Sequence, residues 1–432
     1  MSTSISISTS AAAAHAHTHA RVHYGVSPAS CVAMVHVRDS HSSYVAFASV
    51  DAVQLFRIGP AFDHVQSLRP PPSFASFDSA APSLHVSALA GHASNGNIAV
   101  ALSDGRLLVY SPEYSLPIGA GIGGAMGVSS WALSYQSTLA RPATSLAWAK
   151  ETLLVADTHS IAAYSSTTNW SQTWAIKCAP DAPIIVLAPS PDNHCLASMS
   201  MDDCLVKVWV SSTGGPITSA PPRAHSFFYL PHPQPVTSVS WRRTKSQRVL
   251  LANCTDGVAR VWKWSPKLKL FLLTVAIDPQ TVLEDVGLAP SSCFWLGAEA
   301  IAPHPQPSVY LSNSASEKMV RTDPELAELV KEYDELVMSG ESNGTVLVWG
   351  IRNLSRQTGD TSAALVKVVP NCFRPEHFAT LACPHTVQFA FNTSLEHLLL
   401  LGASAQGTLS CLSVNIAGQS AFWTEAGKWF EA

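Results

Sequence analysis

The chain has 432 residues, of which 47% are hydrophobic and only 13% charged, with a net charge of -4. Such a chain has enough apolar side chains for a large core, and it lacks the basic excess that marks polyanion binders. The longest apolar runs fall short of the roughly 18–20 residues that a membrane-spanning helix needs.

The first twenty residues are rich in Ser, Thr and Ala, with His15, His17 and His19 alternating. They carry neither the basic start nor the apolar centre of a secretory signal. Residues 1–20 therefore read as a disordered tail. A His-rich tract can bind metal, but no fold is expected to orient these rings.

Beyond the tail one phrase recurs. It opens with a polar turn, continues as alternating apolar residues and ends in an aromatic. The clear copies run Ser103-Asp104-Gly105 to Tyr110, Asp203 to Trp209, Asp256-Gly257 to Trp262, and Asn343-Gly344 to Trp349. Weaker copies run Asp51 to Phe56, Asp157 to Tyr164 and Gln406-Gly407 to Leu412. Asp-Gly and Asn-Gly supply the positive φ of a tight hairpin. The alternation is that of a strand, and the closing ring is suited to packing between sheets.

The step from Asp51 to Asp104 is 53 residues, as are those from Asp104 to Asp157 and from Asp203 to Asp256. A four-stranded WD40 blade takes roughly 40–45 residues, so each copy fits one blade with a modest loop insertion. A second phrase precedes the first: Pro142 to Trp148 matches Pro235 to Trp241. Ile184 to Asp192 and Cys195 to Ser200 have the same cadence of strand, turn and strand. No copy ends in Trp-Asp, and Gly-His occurs once, at Gly91-His92.

The fold expected is therefore all-β, a seven-bladed WD40-type β-propeller over residues 21–432. Tyr110, Trp148, Asp203, Trp209, Trp241, Asp256, Trp262, Asn343 and Trp349 are its expected blade residues. The longer steps after Asp256 suggest an insertion over 263–338. Within it Thr322-Asp323-Pro324-Glu325 has the form of a helix start, and the spacing of Leu326, Leu329, Val330, Tyr333, Leu336 and Val337 predicts a short helix over 324–336. The Pro-rich stretches 69–82 and 215–235 read as surface loops, and Gly119 to Gly127 as a flexible one.

Nucleophile elbows, phosphate loops, HExxH, dinucleotide-binding glycines and CxxC pairs are all missing from the sequence, so no catalytic residue, cofactor or metal is assigned. The nine cysteines, among them Cys195, Cys254 and Cys411 in apolar runs, read as buried reduced thiols, as in a reducing cytoplasm. His232 precedes a core strand and fits a structural histidine that holds a turn; His225 lies nearby. Arg242, Arg243, Lys245 and Arg248 form a basic cluster after Trp241, a candidate surface for an acidic partner.

At residues 201–262 the phrases become more specific. Met201-Asp202-Asp203-Cys204-Leu205-Val206-Lys207-Val208-Trp209, Phe227-Phe228-Tyr229-Leu230-Pro231-His232-Pro233, Val239-Ser240-Trp241-Arg242-Arg243-Thr244 and Val249 to Trp262 resemble the DmX-like (rabconnectin) family, in fungi the large subunit of the RAVE complex, the regulator of the ATPase of vacuolar and endosomal membranes. That resemblance implies a non-catalytic scaffold in the cytoplasm, peripherally associated with vacuolar and endosomal membranes. It implies V-ATPase peripheral-sector subunits and other RAVE subunits as partners, and a role in V-ATPase assembly and vacuolar acidification. Nucleic acid is not an expected partner. Family members are much longer, with a second propeller and a helical region, so this chain reads as a fragment or a shortened relative. A propeller of a trafficking coat or a ubiquitin-ligase receptor shares the fold without these phrases. A calcium-dependent lactonase would need acids and His converging on the central channel.

Overall fold

The computed structural model describes residues 6–8, 19–23, 32–37, 42–48, 52–58, 63–71, 84–92, 94–115, 127–178, 182–212, 214–219, 225–242, 247–281, 292–295, 332–340, 346–356, 360–369, 388–392, 397–403 and 408–415. Its elements are strands joined by turns, some of them short 3₁₀ turns.

The strands fall into seven antiparallel sheets. β1 (Ser6–Ser8) and β2 (His19–His23) open the chain. The first sheet is β3 (Val32–Val37), β4 (Ser42–Ala48), β5 (Val53–Ile58) and β6 (Asp63–Leu68). The second is β7 (Val86–Gly91), β8 (Ile98–Leu102), β9 (Arg106–Ser115) and β10 (Gly127–Thr138). The third is β11 (Ser145–Ala149), β12 (Thr152–Ala156), β13 (Ser160–Ser165) and β14 (Ser171–Lys177). The fourth is β15 (Ile184–Pro189), β16 (Cys195–Ser200), β17 (Leu205–Ser211) and β18 (His225–Pro231). The fifth is β19 (Val236–Trp241), β20 (Val249–Cys254), β21 (Ala259–Ser265) and β22 (Leu270–Ile277). The sixth is β23 (Ser292–Trp295), β24 (Glu335–Gly340), β25 (Val346–Arg352) and β26 (Ser362–Val369). β27 (Gln388–Asn392), β28 (His397–Ala403) and β29 (Thr408–Asn415) form the seventh, which β2 and β1 extend.

The seven recurring phrases all begin between the second and third strands of their sheets, with the turn residues Asp51, Asn343 and Gln406 outside the described residues. Where that turn is described, an aspartate shapes it. Asp104, Asp203 and Asp256 each accept the N–H two residues on through Oδ1, at 2.9–3.0 Å. Asp157 accepts from His159 and Ser160. Gly105 and Gly257 follow with φ of 87° and 79°, which other residues adopt only with strain. Asn343 lies outside the described residues.

The closing aromatics Phe56, Tyr110, Tyr164, Trp209, Trp262 and Trp349 all sit in third strands. A register shift toward the fourth strand falls beside Phe56, Tyr164, Trp262 and Trp349. The extra residue belongs to the fourth strand: Val65, Thr173, Thr274 and Val366 are each passed over by the pairing beside the ring. The ring's polar tip is then satisfied locally. Trp209 Nε1 donates to Ser198 Oγ (2.8 Å), Trp349 Nε1 to Ser339 Oγ (3.2 Å) and Trp262 Nε1 to His232 Nε2 (3.1 Å).

Second strands such as β8 and β20 are buried at every position, because their sheets are covered on both faces. One face of β16 and β17 packs Leu196 and Trp209 against the third sheet; the other packs Cys195, Ala197, Val206 and Val208 against the fifth. First strands touch in chain order from β3 through β7, β11, β15 and β19 to β23. Hydrogen bonds cross each of these gaps. Trp148 in β11 donates through Nε1 to Ala90 O in β7 (3.1 Å), Trp241 in β19 to Ala188 O in β15 (2.7 Å), and Trp295 in β23 to Ser240 O in β19 (3.1 Å). In β15, Pro189 stands near the equivalent place, and Thr144 Oγ1 donates to Ile184 O instead (2.5 Å). Between the first two sheets the Gln66 amide pairs with both the N–H and the carbonyl of Trp131.

Four expectations change. The proposed insertion over 263–338 contains β22, β23 and β24, so most of its described residues belong to blade-like sheets. Of the helix expected over 324–336, residues 324–331 lie outside the described residues, and Leu336 and Val337 are strand residues of β24, 2% and 0% exposed. A short apolar run such as Leu336-Val337-Met338 fits either period, and two-sided burial decides for the strand. Within residues 1–20, read as a tail, Ser6–Ser8 form β1 and His19 and Ala20 begin β2; Val22 and His23 of β2, beyond the tail, pair with Leu409 and Thr408 of β29. Strand pairing uses backbone groups, so an unpatterned Ser- and Thr-rich segment can take part. The Pro-rich stretch 215–235 holds β18.

Replacing Trp241 by Phe keeps the ring's burial but leaves the Ala188 carbonyl without its indole donor. The expected loss is about 1–3 kcal/mol. Urea unfolding of wild type and Trp241→Phe at equal m-value measures it.

Candidate interaction site

Two of the four cations in the basic cluster after Trp241, Arg242 and Arg248, are engaged by acids of other sheets. Arg242 is 6% exposed, and its Nε donates to Glu335 Oε1 at 2.5 Å, with Nη2 reaching Ser355 Oγ at 3.2 Å. It ties the end of β19 to the start of β24. Arg248 Nε donates to Asp192 Oδ2 at 2.7 Å, across the gap between fourth and fifth sheets. Asp192 also accepts from Ser190 Oγ and the His194 N–H. Burial pushes its carboxyl up, and the bonds from Ser190 and Arg248 outweigh that and hold it below the usual range. Arg243 and Lys245 lie outside the described residues. The correction follows from burial: a long cationic side chain next to an acid on the adjacent sheet is used inside the fold, and sequence proximity to Trp241 does not reveal that acid.

His232 has the structural place expected of it. It is 7% exposed and its Nε2 accepts the Trp262 indole N–H. Burial, with Arg260 nearby, lowers its pKa from 6.5 to about 4. His92 is also buried: Nδ1 accepts the N–H groups of Ser94 and Asn95, and Nε2 bonds Lys150 O at 2.9 Å, joining second and third sheets. Cys195 and Cys254 are free and fully buried, and burial pushes their thiols up to about 12 and about 11.

The feature best suited to meet a partner lies one sheet earlier. A cavity of about 340 Å³ opens between the end of the third sheet and the outer half of the fourth. Its floor is Trp209, fixed by Ser198. Its wall is β17 and β18, where Lys207 pairs across with Tyr229, and Trp209 with Phe227. At its turn end stand Met201, Asp202 and Asp203. Alternation puts Leu205, Lys207 and Trp209 on one face of β17, while Val206 and Val208 fill the core behind them.

Four large apolar side chains in and beside this groove are exposed: Met201 by 48%, Leu205 by 36%, Phe227 by 45% and Tyr229 by 52%. The Lys207 ammonium lies 4.6 Å from the Phe227 ring centroid, 5.0 Å from Trp209 and 5.2 Å from Tyr229. The phrases 201–209 and 227–233 carry these residues, but nothing in their order marked them as a surface, since Phe227 and Tyr229 fell in a stretch taken for a loop. Alternation of Phe227 and Tyr229 against buried Leu230 was the available signal.

The structure is similar over 91% of the chain to one chain in the crystal structure of the mitotic checkpoint complex, covering 93% of that chain with a TM-score of 0.53 and 12% identity. It is similar, again over 91%, to a chain in the outer coat vertex of COPII on membranes, covering 85% of that chain with a TM-score of 0.51 and 12% identity. These neighbours are WD40 propeller proteins. The chain has a WD40-type fold. At 12% identity the likeness concerns the fold alone. No family model matches the chain. In sequence, it is 33% identical over 112 residues to DmX-like protein 1 of Mus musculus and 32% identical to DmX-like protein 1 of Homo sapiens. Each match covers 22% of this chain and about 4% of the relative's length.

Two outcomes test the internal roles given above. Arg242→Ala removes the buried ion pair with Glu335 and is expected to cost about 3–5 kcal/mol, read by denaturant unfolding. His232 has a folded-state pKa below its unfolded value, so the unfolded chain takes up the proton first. Its contribution to stability is complete above pH 6.5 and is lost as pH falls toward about 4. The melting temperature of His232→Gln should therefore fall less than that of wild type between about pH 7 and about pH 5; equal slopes would exclude His232 as the titrating group.

Proposed function

We propose that this chain is a non-catalytic WD40 scaffold, its seven sheets closed as the blades of one propeller, and that it acts as the DmX-like and RAVE proteins do, promoting V-ATPase assembly and so vacuolar and endosomal acidification through protein binding. The observation that carries the reading is the 33% identity over 112 residues to DmX-like protein 1. Closure is supported by the pairing of β2 with β29, which brings strands from both ends of the chain into one sheet. The partners on this reading are V-ATPase peripheral-sector subunits and other RAVE subunits, met in the cytoplasm at vacuolar and endosomal membranes. Among the described residues no helix is long and apolar enough to cross a membrane.

With Arg242 and Arg248 engaged inside the fold, affinity on this reading comes from apolar contacts at a blade edge, with charge setting the on-rate. Exposed charge pairs are screened over about 8 Å at physiological salt and contribute on the order of 0.2–1 kcal/mol each. Co-precipitation of the chain with purified peripheral-sector subunits is the test. Capture at low salt, weakened but not abolished at high salt, is expected. Absence of capture at low salt removes the V-ATPase role from this chain.

A further inference from the structure

We infer that the groove between third and fourth sheets is a peptide-docking site, and that its occupant is an extended segment of a partner protein bearing a single carboxylate beside an apolar side chain. The inference deepens the scaffold reading and rests on only one part of it, that the chain binds proteins.

The argument begins with Lys207. Its ammonium faces three rings at 4.6–5.2 Å, and among the described residues it makes no ion pair or hydrogen bond. Rings hold a cation in place but leave its N–H donors open; each cation–π contact is a modest attraction, so an arriving carboxylate can be accepted without dismantling the platform. The position is pre-set by the sheet, because Lys207 is directly opposite Tyr229 and next in register to the pair of Trp209 and Phe227.

The surroundings select the rest of the ligand. Met201, Leu205, Phe227 and Tyr229 are exposed around this one cation. Burying one aliphatic side chain on such a surface supplies affinity that a lone surface ion pair cannot. Asp202 and Asp203 stand at the turn end of the same cavity. Asp203 already accepts the Leu205 N–H, and both residues keep the local field from becoming strongly positive. A phosphate dianion or a run of acids would meet repulsion there. One carboxylate over Lys207 would not, and a basic side chain two or three residues away would be favoured by Asp202.

Shape points to an extended chain. β18 is the outermost strand of its sheet, and the groove is lined by Leu205, Lys207 and Trp209 at alternate positions of β17 with Tyr229 of β18 beside them. A segment lying along it alternates its side chains, so a carboxylate and an apolar group can share one face of the ligand.

The experiment uses the full chain as bait for a displayed library of random dodecapeptides. Enriched peptides are expected to carry one Asp or Glu near a Leu, Ile, Met or Phe. A synthetic copy of the most enriched peptide should bind wild type, bind Lys207→Gln at least about tenfold more weakly, and be restored by Lys207→Arg. Tyr229→Ser, at an exposed position, should weaken it as well while the melting temperature stays that of wild type. Enrichment of peptides without an acid, no enrichment at all, or equal binding to Lys207→Gln overturns the inference. Peripheral-sector subunits that fail to bind while acidic peptides still do would remove the V-ATPase role and leave the groove standing; capture of those subunits unchanged by Lys207→Gln, with no peptide enriched, would do the reverse.

Discussion

An indole N–H that crosses from one sheet to a backbone carbonyl of the sheet before it is the interaction on which this structure turns. Sheets with two apolar faces must be stacked, but apolar faces alone slide. A part-buried carbonyl that accepts from Trp148, Trp241 or Trp295 fixes the offset between neighbours, since a displaced sheet would lose the bond at both donor and acceptor. Asn253 does the same between fifth and sixth sheets, with its amide pairing to both the N–H and the carbonyl of Cys293. With the first strands so held, the outer strands take whatever separation the sheet twist gives them. The groove beside Lys207 lies in that outer region.

Much of this was legible in the residues. The polar turns, the alternation after them and, in six sheets, the closing aromatics named the third strands, and the Pro-to-Trp phrases named two first strands. These signals are local: a turn needs its aspartate or glycine, and a strand covered on both sides needs an apolar run. Trp295 escaped notice because its strand, Ser292–Trp295, is short and stands far from its partner β24 in the chain. Leu336 and Val337, read as the end of a helix, are strand residues for a related reason, as a pattern fitting two periods is decided by what covers it. The pairing of β2 with β29 joins residues nearly four hundred positions apart and has no local signature.

The site was harder to read than the fold. Clustered arginines suggested a surface, yet Arg242 and Arg248 each meet an acid contributed by another sheet. What distinguishes Lys207 is the converse, a cation set on rings with its donors left open among the described residues. Its neighbours Phe227 and Tyr229 are in a strand that prolines on either side had disguised. Exposure of alternate residues on an outer strand becomes visible only when the adjoining sheet is seen to end short of it.

The central claim is that indole-to-carbonyl bonds from Trp148, Trp241 and Trp295 fix the offset between neighbouring sheets. A crystal structure of the chain tests it most directly. The account predicts seven blades about one axis, with the Trp148, Trp241 and Trp295 indole nitrogens within hydrogen-bond distance of the Ala90, Ala188 and Ser240 carbonyls. A ring of six or eight blades, or indoles turned away from the preceding sheet, would contradict it.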